Sequence, residues 1–297
     1  MLEIVKDVTT ADAITHGGVF HADEVMATAL ILRFHSDLKI ARMNQVPEDY
    51  SGLVFDVGYG RYDHHQKGKN GKRKDGVYYA SAGLIWKTFG KGILEKHGIR
   101  NVEKAFDRID RKLMEPIDFI DNGMENISMM PVYSLSDAIT ACNPQWDEED
   151  VDWDDCFRTA VDMAELVLDR EIRREASIQE AEGIVEKALG EVEDGIMELE
   201  GRLPWKDVLE GHPGKEKVFF VVGKSERGGY NVVCVPPDGE PFAQRKSIPI
   251  EWRGKSPAEY EKMGLSGMRF VHDAGFFAVA DTKEHAIEFA KRCLESE

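Results

Sequence analysis

His16 with His21-Ala22-Asp23, then Asp56-Val57-Gly58, then Asp63-His64-His65 set imidazoles and carboxylates in three clusters within about 50 residues. Neutral imidazoles and carboxylates are the side chains that hold Mn2+, Zn2+ or Fe2+, so three such clusters point to a site for two divalent cations. The reaction most often run on such a site is hydrolysis of a phosphate ester by water that the ions acidify. A single His-x-Asp would carry little weight, because His35, His97, His212 and His285 occur here in no pattern. Asp63-His64-His65 carries more, since three adjacent ionisable residues behind a strand do not pack a core. Further on, Asp118-Phe119-Ile120-Asp121-Asn122-Gly123 puts two carboxylates three apart, on one helical face before an Asn-Gly stop. Either of them could complete a metal shell.

The elements that must position these groups read as alternating strands and helices over residues 11–125. Ala13-Ile14-Thr15 is a short strand running into His16-Gly17-Gly18, and Asp23-Glu24 opens a helix with apolar Val25, Ala29, Leu30 and Leu32. Leu53-Val54-Phe55-Asp56-Val57 has the length and branching of a buried strand, ending at Gly58. In a parallel sheet both clusters then lie at the carboxyl ends of strands, where open α/β sheets collect ligands. Ala80-Ser81-Ala82-Gly83 opens a further helix, its free N–H groups facing either a phosphate or a closely packed sheet. From Val102 the spacing of Phe106, Ile109, Leu113, Ile117 and Ile120 predicts helix, with a break at Pro116.

Residues 151–205 read as a helical connector, with Val161, Ala164, Leu168, Ile172, Ile178, Ile184 and Leu189 at helical spacing. Beyond it, residues 217–222 and 230–235 form a hairpin pattern, two more strand-like runs cover 269–272 and 274–280, and a helix opens at Thr282. The expected class is α/β. Residues 1–150 form an N-terminal metal-binding domain with a mainly parallel sheet flanked by helices. The connector spans 151–205, and a smaller C-terminal α/β domain with a mixed sheet spans 206–297. In that last domain His272 and the cations Arg245, Lys246 and Arg253 are the candidates for substrate contact.

Charge narrows the substrate. A net charge of −17 lacks the basic stripe of a duplex-DNA binder, so long polyanions are repelled. Two bound cations would still hold a phosphate end or a short oligonucleotide. The one basic stretch, residues 67–74 after the Asp-His-His triplet, reads either as a solvated loop or as a flap that closes on phosphate. Cys142, Cys156, Cys234 and Cys293 form no C-x-x-C pair, which excludes a zinc ribbon and a redox motif. No apolar run is long enough to cross a bilayer, and the N-terminal residues have the pattern of neither a signal nor a transit peptide, so the cytoplasm is the expected compartment.

These residues also carry a family resemblance. Thr15 to Glu24, Asp56-Val57-Gly58, Tyr62-Asp63-His64-His65-Gln66, Tyr79 to Trp86 and Asp118 to Gly123 resemble the melanocyte-proliferating-gene-one (Myg1-type) family. So do Arg245-Lys246, Trp252-Arg253-Gly254 and Phe270 to Phe276, which extends the likeness over nearly the whole chain. That family is itself similar to the Asp-His-His (DHH) phosphoesterases. The resemblance implies a DHH-type N-terminal domain in which His16, His21, Asp23, Asp56, His64 and Asp121 bind metal, with Asp118 the alternate ligand or a supporting residue. His21 stands where those enzymes usually have an aspartate. Asp56 would bridge both cations, Asp63 would orient its neighbours and His65 would contact the substrate phosphate. His272 and Gly275, with Arg245 and Lys246, would grip a phosphate or an oligonucleotide end.

The expected activity is a divalent-metal-dependent phosphoesterase working by two-metal activation of water, with Mn2+ ahead of Mg2+, Zn2+ and Fe2+. The resemblance sharpens this to a 3′→5′ exonuclease on RNA or short single-stranded oligonucleotides, with no membrane partner and a homodimer left open. A small-molecule phosphatase or pyrophosphatase is the alternative from the acidic surface, and a non-catalytic metal-binding protein is the other.

Overall fold

The computed structural model describes residues 1–124, 132–240 and 243–296. Contacts divide the chain into two units, Met1–Ala176 and Ser177–Glu297.

The first unit contains β1 (Leu2–Ile4), β2 (Ala13–Thr15), α1 (Ala22–Leu32), β3 (Leu38–Arg42), β4 (Leu53–Val54), α2 (Ser81–Lys96), α3 (Val102–Ile109), α4 (Glu115–Asp121), α5 (Leu135–Thr140) and the first part of α6 (Trp153–Gly190). Its sheet is parallel throughout, in the order β1-β3-β2-β4. All three residues of β2 are buried, the mark of a strand covered on both faces in a parallel sheet. β4 pairs directly with β2, Ala13 opposite Leu53, so the chain leaves two adjacent strands on the same edge, one toward His16 and the other toward Asp56. Every residue of α1 is buried, including Asp23 and Glu24 in its first turn. The positive end of the helix dipole lies there and favours both carboxylates.

Two elements differ from the sequence expectation. The strand expected over 53–57 stops at Val54. Phe55 N–H still reaches the Ile14 carbonyl at 3.1 Å, but Asp56 turns to φ +55°, a left-handed conformation that aspartate tolerates better than most residues. That turn takes its carboxylate out of the ladder. The break expected at Pro116 is absorbed instead by a wide turn over Asp110–Met114, where the Glu115 N–H bonds to the carbonyl of Asp110. Pro116 then sits in the first turn of α4, where its missing N–H costs nothing.

Arg73, expected within a solvated or flap-like basic loop, is buried. Its Nε and Nη2 each donate to Asp110 at 2.7 Å, and its Nη1 lies 2.8 Å from Asp118 Oδ2. The other Asp118 oxygen accepts the Gly83 N–H at 3.0 Å. Gly83 is required there, because a Cβ would fall 1.8 Å from Asp118 Oδ2. One guanidinium thus ties the loop after the Asp-His-His triplet to α4, and through Asp118 to the start of α2. Asp121 lies one helical turn beyond this anchor.

The second unit contains β5 (Ile196–Leu199), α7 (Trp205–Leu209), β6 (Phe220–Lys224), β7 (Tyr230–Cys234), α8 (Pro257–Lys262), β8 (Met268–Val271), β9 (Phe277–Ala280) and α9 (Lys283–Glu295). The sheet is mixed, in the order β5-β6-β7-β9-β8, with only β5 and β6 parallel. The range expected as a helical connector to 205 is helical only to Gly190; Asp194 and Gly195, both at positive φ, turn the chain into an edge strand. On one sheet face Phe220, Val222, Val232 and Ala278 pack with Ala286, Phe289 and Ala290 of α9. On the other, Met197, Val221 and Val233 pack with Trp205 of α7.

Removing the cation from a buried ion network leaves its carboxylates unpaired, which is expected to cost about 3–5 kcal/mol. Arg73→Met should therefore lower stability by about that amount in urea unfolding, and a midpoint equal to that of the unaltered chain would contradict the anchoring role.

Candidate metal centre

His16 follows the end of β2, and its Nε2 lies 2.9 Å from Glu24 Oε1 and 3.2 Å from Asp56 Oδ2. Glu24 is fixed by the start of α1: both of its oxygens accept the His21 N–H at 2.9 Å. On the other side of Asp56, His64 Nε2 lies 3.2 Å from Asp56 Oδ1, 3.0 Å from Asp121 Oδ2 and 3.6 Å from Asp23 Oδ2. Asp23 is held by the Ser81 N–H at 3.2 Å, so the first residue of α2 positions a carboxylate of α1. Asp56 stands between the two imidazoles, one oxygen toward each.

Three overlapping sets of donors result. They are His16, His21, Glu24 and Asp56; then Asp56, His64 and His65; then His21, Asp23 and Asp121, with the donor atoms in each set no more than 4.8 Å apart. Ligands at about 2.1 Å from a common ion are separated by no more than about 4.2 Å, so these sets need only small movements to enclose one. Asp56 belongs to two sets and so does His21. The donors are nitrogen and oxygen only, which suits Mn2+, Fe2+ or Zn2+ better than a soft ion.

The electrostatics carry the same message. Asp23 is fully buried, and burial together with the charges of Asp56, Asp121 and Glu24 pushes its carboxyl well above the usual range. Burial alone would also raise Asp56, but the His16 and His64 imidazoles override it and hold the group well below the usual range. Burial would lower the two imidazoles, yet the flanking carboxylates win: His16, beside Asp56 and Glu24, rises to about 10, and His64, beside Asp121 and Asp56, also to about 10. In the metal-free chain two imidazolium ions thus stand in for the missing positive charge. Asp23 Oδ1 is buried with no hydrogen-bond partner, which is costly unless something positive meets it. The residues fit a pair of divalent cations.

Around this cluster lie groups of a different kind. Asp63 is buried and accepts from the Tyr59 N–H at 2.6 Å, the His65 N–H at 3.0 Å and, at 2.7 Å, His65 Nδ1. It shapes the turn and steadies the His65 ring, whose side chain is 54 % exposed. Asp118 is drawn away from the cluster by Arg73; burial lifts it to about 7 against the pull of that guanidinium. One groove of about 460 Å³ is lined by His21, His64, His65, Asp121 and Lys69 of the basic loop. A second, of about 450 Å³, is lined by His16, His21, Asp56, Asp63 and His65.

Glu24 is the functional residue that the sequence reading missed, because a carboxylate opening a helix is an ordinary capping pattern. The available signal was its place beside Asp23, two carboxylates at the head of an otherwise apolar helix. In the second unit, Arg245 donates to the main-chain carbonyls of Lys215, Glu216 and Val218. Arg253 donates to the Ile248 carbonyl and Ser247 Oγ, and Gly275 leaves room for it, since a Cβ there would lie 2.4 Å from its Cζ. Much of each guanidinium is thus committed to the fold. Lys246 donates to the Ser296 carbonyl, and His272 Nδ1 accepts the Ala274 N–H while its ring lies 4.4 Å from that of Phe276.

Residues 12–294 match the model of the Uncharacterised protein family (UPF0160), MYG1_exonuc. The MYG1 exonuclease of Homo sapiens is 31% identical over 323 residues, covering 94% of this chain and 85% of its own. The MYG1 protein of Saccharomyces cerevisiae is 30% identical over 320 residues, covering 94% of each. The MYG1 protein of Dictyostelium discoideum is 31% identical over 313 residues, covering 94% of this chain and 95% of its own. Among solved structures, RecJ from Thermus thermophilus in complex with Mn2+ aligns with 97% of this chain and 52% of its own, at 12% identity and a TM-score of 0.27.

Because His16 and His64 are raised from 6.5 to about 10, each holds its proton more tightly in the folded chain. That stabilisation is complete below pH 6.5 and is lost as pH rises through 10; the raised Asp23 acts in the same direction at lower pH. The melting temperature of the metal-free protein should fall from pH 7 toward pH 10. Added Mn2+ should raise it more at pH 8 than at pH 6, since ions and protons compete for the same imidazoles. A metal-free melting temperature that stays level or climbs toward pH 10 would contradict the charge balance.

Proposed function

The chain belongs to the MYG1 exonuclease (UPF0160) family, and on that premise we propose that it is a divalent-metal-dependent phosphoesterase that cleaves phosphodiester bonds. The exonuclease name of its relatives supports a hydrolase of the nuclease class. The observation that carries the reading is the sharing of Asp56 between two donor sets, the arrangement a bridging carboxylate needs. In this reading His16, His21, Glu24 and Asp56 would hold one cation, and Asp23, Asp56, His64 and Asp121 would hold the other. Such a pair would supply Lewis acidity, lowering the pKa of water and neutralising charge on phosphoryl oxygens.

The chain's own residues do the rest. Asp63, accepting from Nδ1, fixes the His65 ring with Nε2 turned away from it, where it can hold a proton for a phosphoryl or leaving oxygen. Ser81, donating to Asp23 from the first turn of α2, keeps that carboxylate aimed inward. Lys69 lines the groove beside His64 and His65 and adds a positive charge for a phosphate. The preferred substrate is RNA or a short single-stranded oligonucleotide, trimmed from its 3′ end, with Mn2+ as the working ion. The net charge of −17 supports short over long substrates.

Asp56→Asn and His64→Ala should each lower turnover of a labelled single-stranded RNA with Mn2+ by about 10²-fold or more, and a chelator should abolish it. Parallel assays on pyrophosphate and on dinucleotides separate the nuclease from a small-molecule phosphatase. Unimpaired cleavage by His64→Ala would remove that residue from the ligand set, and turnover of pyrophosphate alone would overturn the nuclease reading.

A further inference from the structure

The sheet of the second unit is closed by α9 on one face and only in part on the other. Two cross-strand rows run along that second face. Met197, Val221, Val233 and Phe277 stand in register in the first, where Trp205 packs on Met197, Val221 and Val233. Leu199, Gly223, Asn231, Val279 and Phe270 form the second row. This second row lines a cavity of about 600 Å³.

Its composition is unusual for a sheet face open to water, which is ordinarily polar. It is apolar but for one amide. Gly223 leaves the peptide plane bare beside Asn231, and Asn231 Oδ1 is buried with no hydrogen-bond partner. At the end of the row Phe270 is 44% exposed, its ring 6.3 Å from that of Phe277. The rim carries Arg202, Lys224, Arg227 and Arg269 against the single carboxylate of Glu226, in a chain whose net charge is −17. Arg202 pairs with Glu226 and Arg269 with Asp281. Among the described residues no carboxylate lies within ion-pair distance of Lys224 or Arg227, which are both exposed at the turn between β6 and β7.

A flat floor, an exposed aromatic ring, an unsatisfied amide and free cations at the rim match one chemistry, that of an unstacked nucleobase and its phosphates. The ring stacks on the base, the amide meets its hydrogen-bonding edge, and the cations neutralise the backbone. A duplex offers neither a free base face nor an open pairing edge to such a surface. We infer that this sheet face binds single-stranded nucleic acid, seating one base on Asn231 and Phe270 and the adjoining phosphates on Lys224 and Arg227. The choice of nucleic acid over other planar anions rests on the phosphodiesterase reading above.

The test is fluorescence anisotropy of a labelled 12-nucleotide oligouridylate with the 297-residue chain in chelator, so that binding is read without cleavage. Phe270→Ala should weaken binding about tenfold, the loss of one stacked base. The double variant Lys224→Glu/Arg227→Glu should weaken it further and reduce the slope of log affinity against log salt by roughly 1.4, for two lost phosphate contacts. All three positions are exposed, and unchanged melting temperatures check that the variants fold. Binding within twofold of the unaltered chain for both variants, with the same salt slope, would overturn the inference, as would no binding by the unaltered chain. Turnover in Mn2+ is scored separately. A chain that binds through this face but cleaves nothing would sink the hydrolase reading alone, and one that cleaves while its binding ignores both variants would sink this site alone.

Discussion

Mutual repulsion among buried carboxylates is the constraint on which the first unit depends. Asp23, Glu24 and Asp56 are buried and Asp121 lies beside them, with His16 and His64 against them and His65 Nδ1 3.7 Å from Asp56 to offset their charge. A cluster of this kind is unstable by itself, because burial favours neutral groups while neighbouring anions drive each other toward protonation. It persists in a fold when positive charge is bound in its midst. In the metal-free chain the His16 and His64 imidazoles meet that demand, and in the proposed metal-bound enzyme the same nitrogens would face divalent cations.

The rest of the unit serves to hold that repulsion in place. A parallel sheet brings two strand ends together, and the left-handed turn at Asp56 points a carboxylate between two imidazoles instead of across the sheet. The dipole of α1 favours the anions in its first turn. Arg73 fixes α4 by pairing with Asp110 and Asp118, which leaves Asp121, one turn on, to reach His64. Asp118 and Asp121 therefore divide the work, one carboxylate anchoring the helix and the other joining the cluster.

Much of this was legible in the residues. The strand before His16, the helix after Asp23, the hairpin of the second unit and the grouping of His16, Asp23, Asp56 and His64 follow from residue type and period, whereas the choice of Asp121 over Asp118 comes from the family resemblance alone. What escaped was set by tertiary context. Glu24 reads as a helix-capping acid, and only the fold shows His16 against it. Arg73 lies in a run of lysines and glycines that looks solvated, and nothing local marks it as the residue whose partners lie on a later helix. The strand at Ile196–Leu199 follows a long helical period and is short, so its pairing with β6 is visible only in three dimensions. Arg245 and Arg253 looked free for substrate because main-chain carbonyl partners leave no trace in a sequence.

The most direct measurement is anomalous diffraction from crystals of the protein grown with Mn2+. The account predicts two peaks about 3.5–4 Å apart with the Asp56 carboxylate between them, one against His16 and Glu24 and the other against His64 and Asp121. A single peak, or manganese bound away from Asp56, would contradict it.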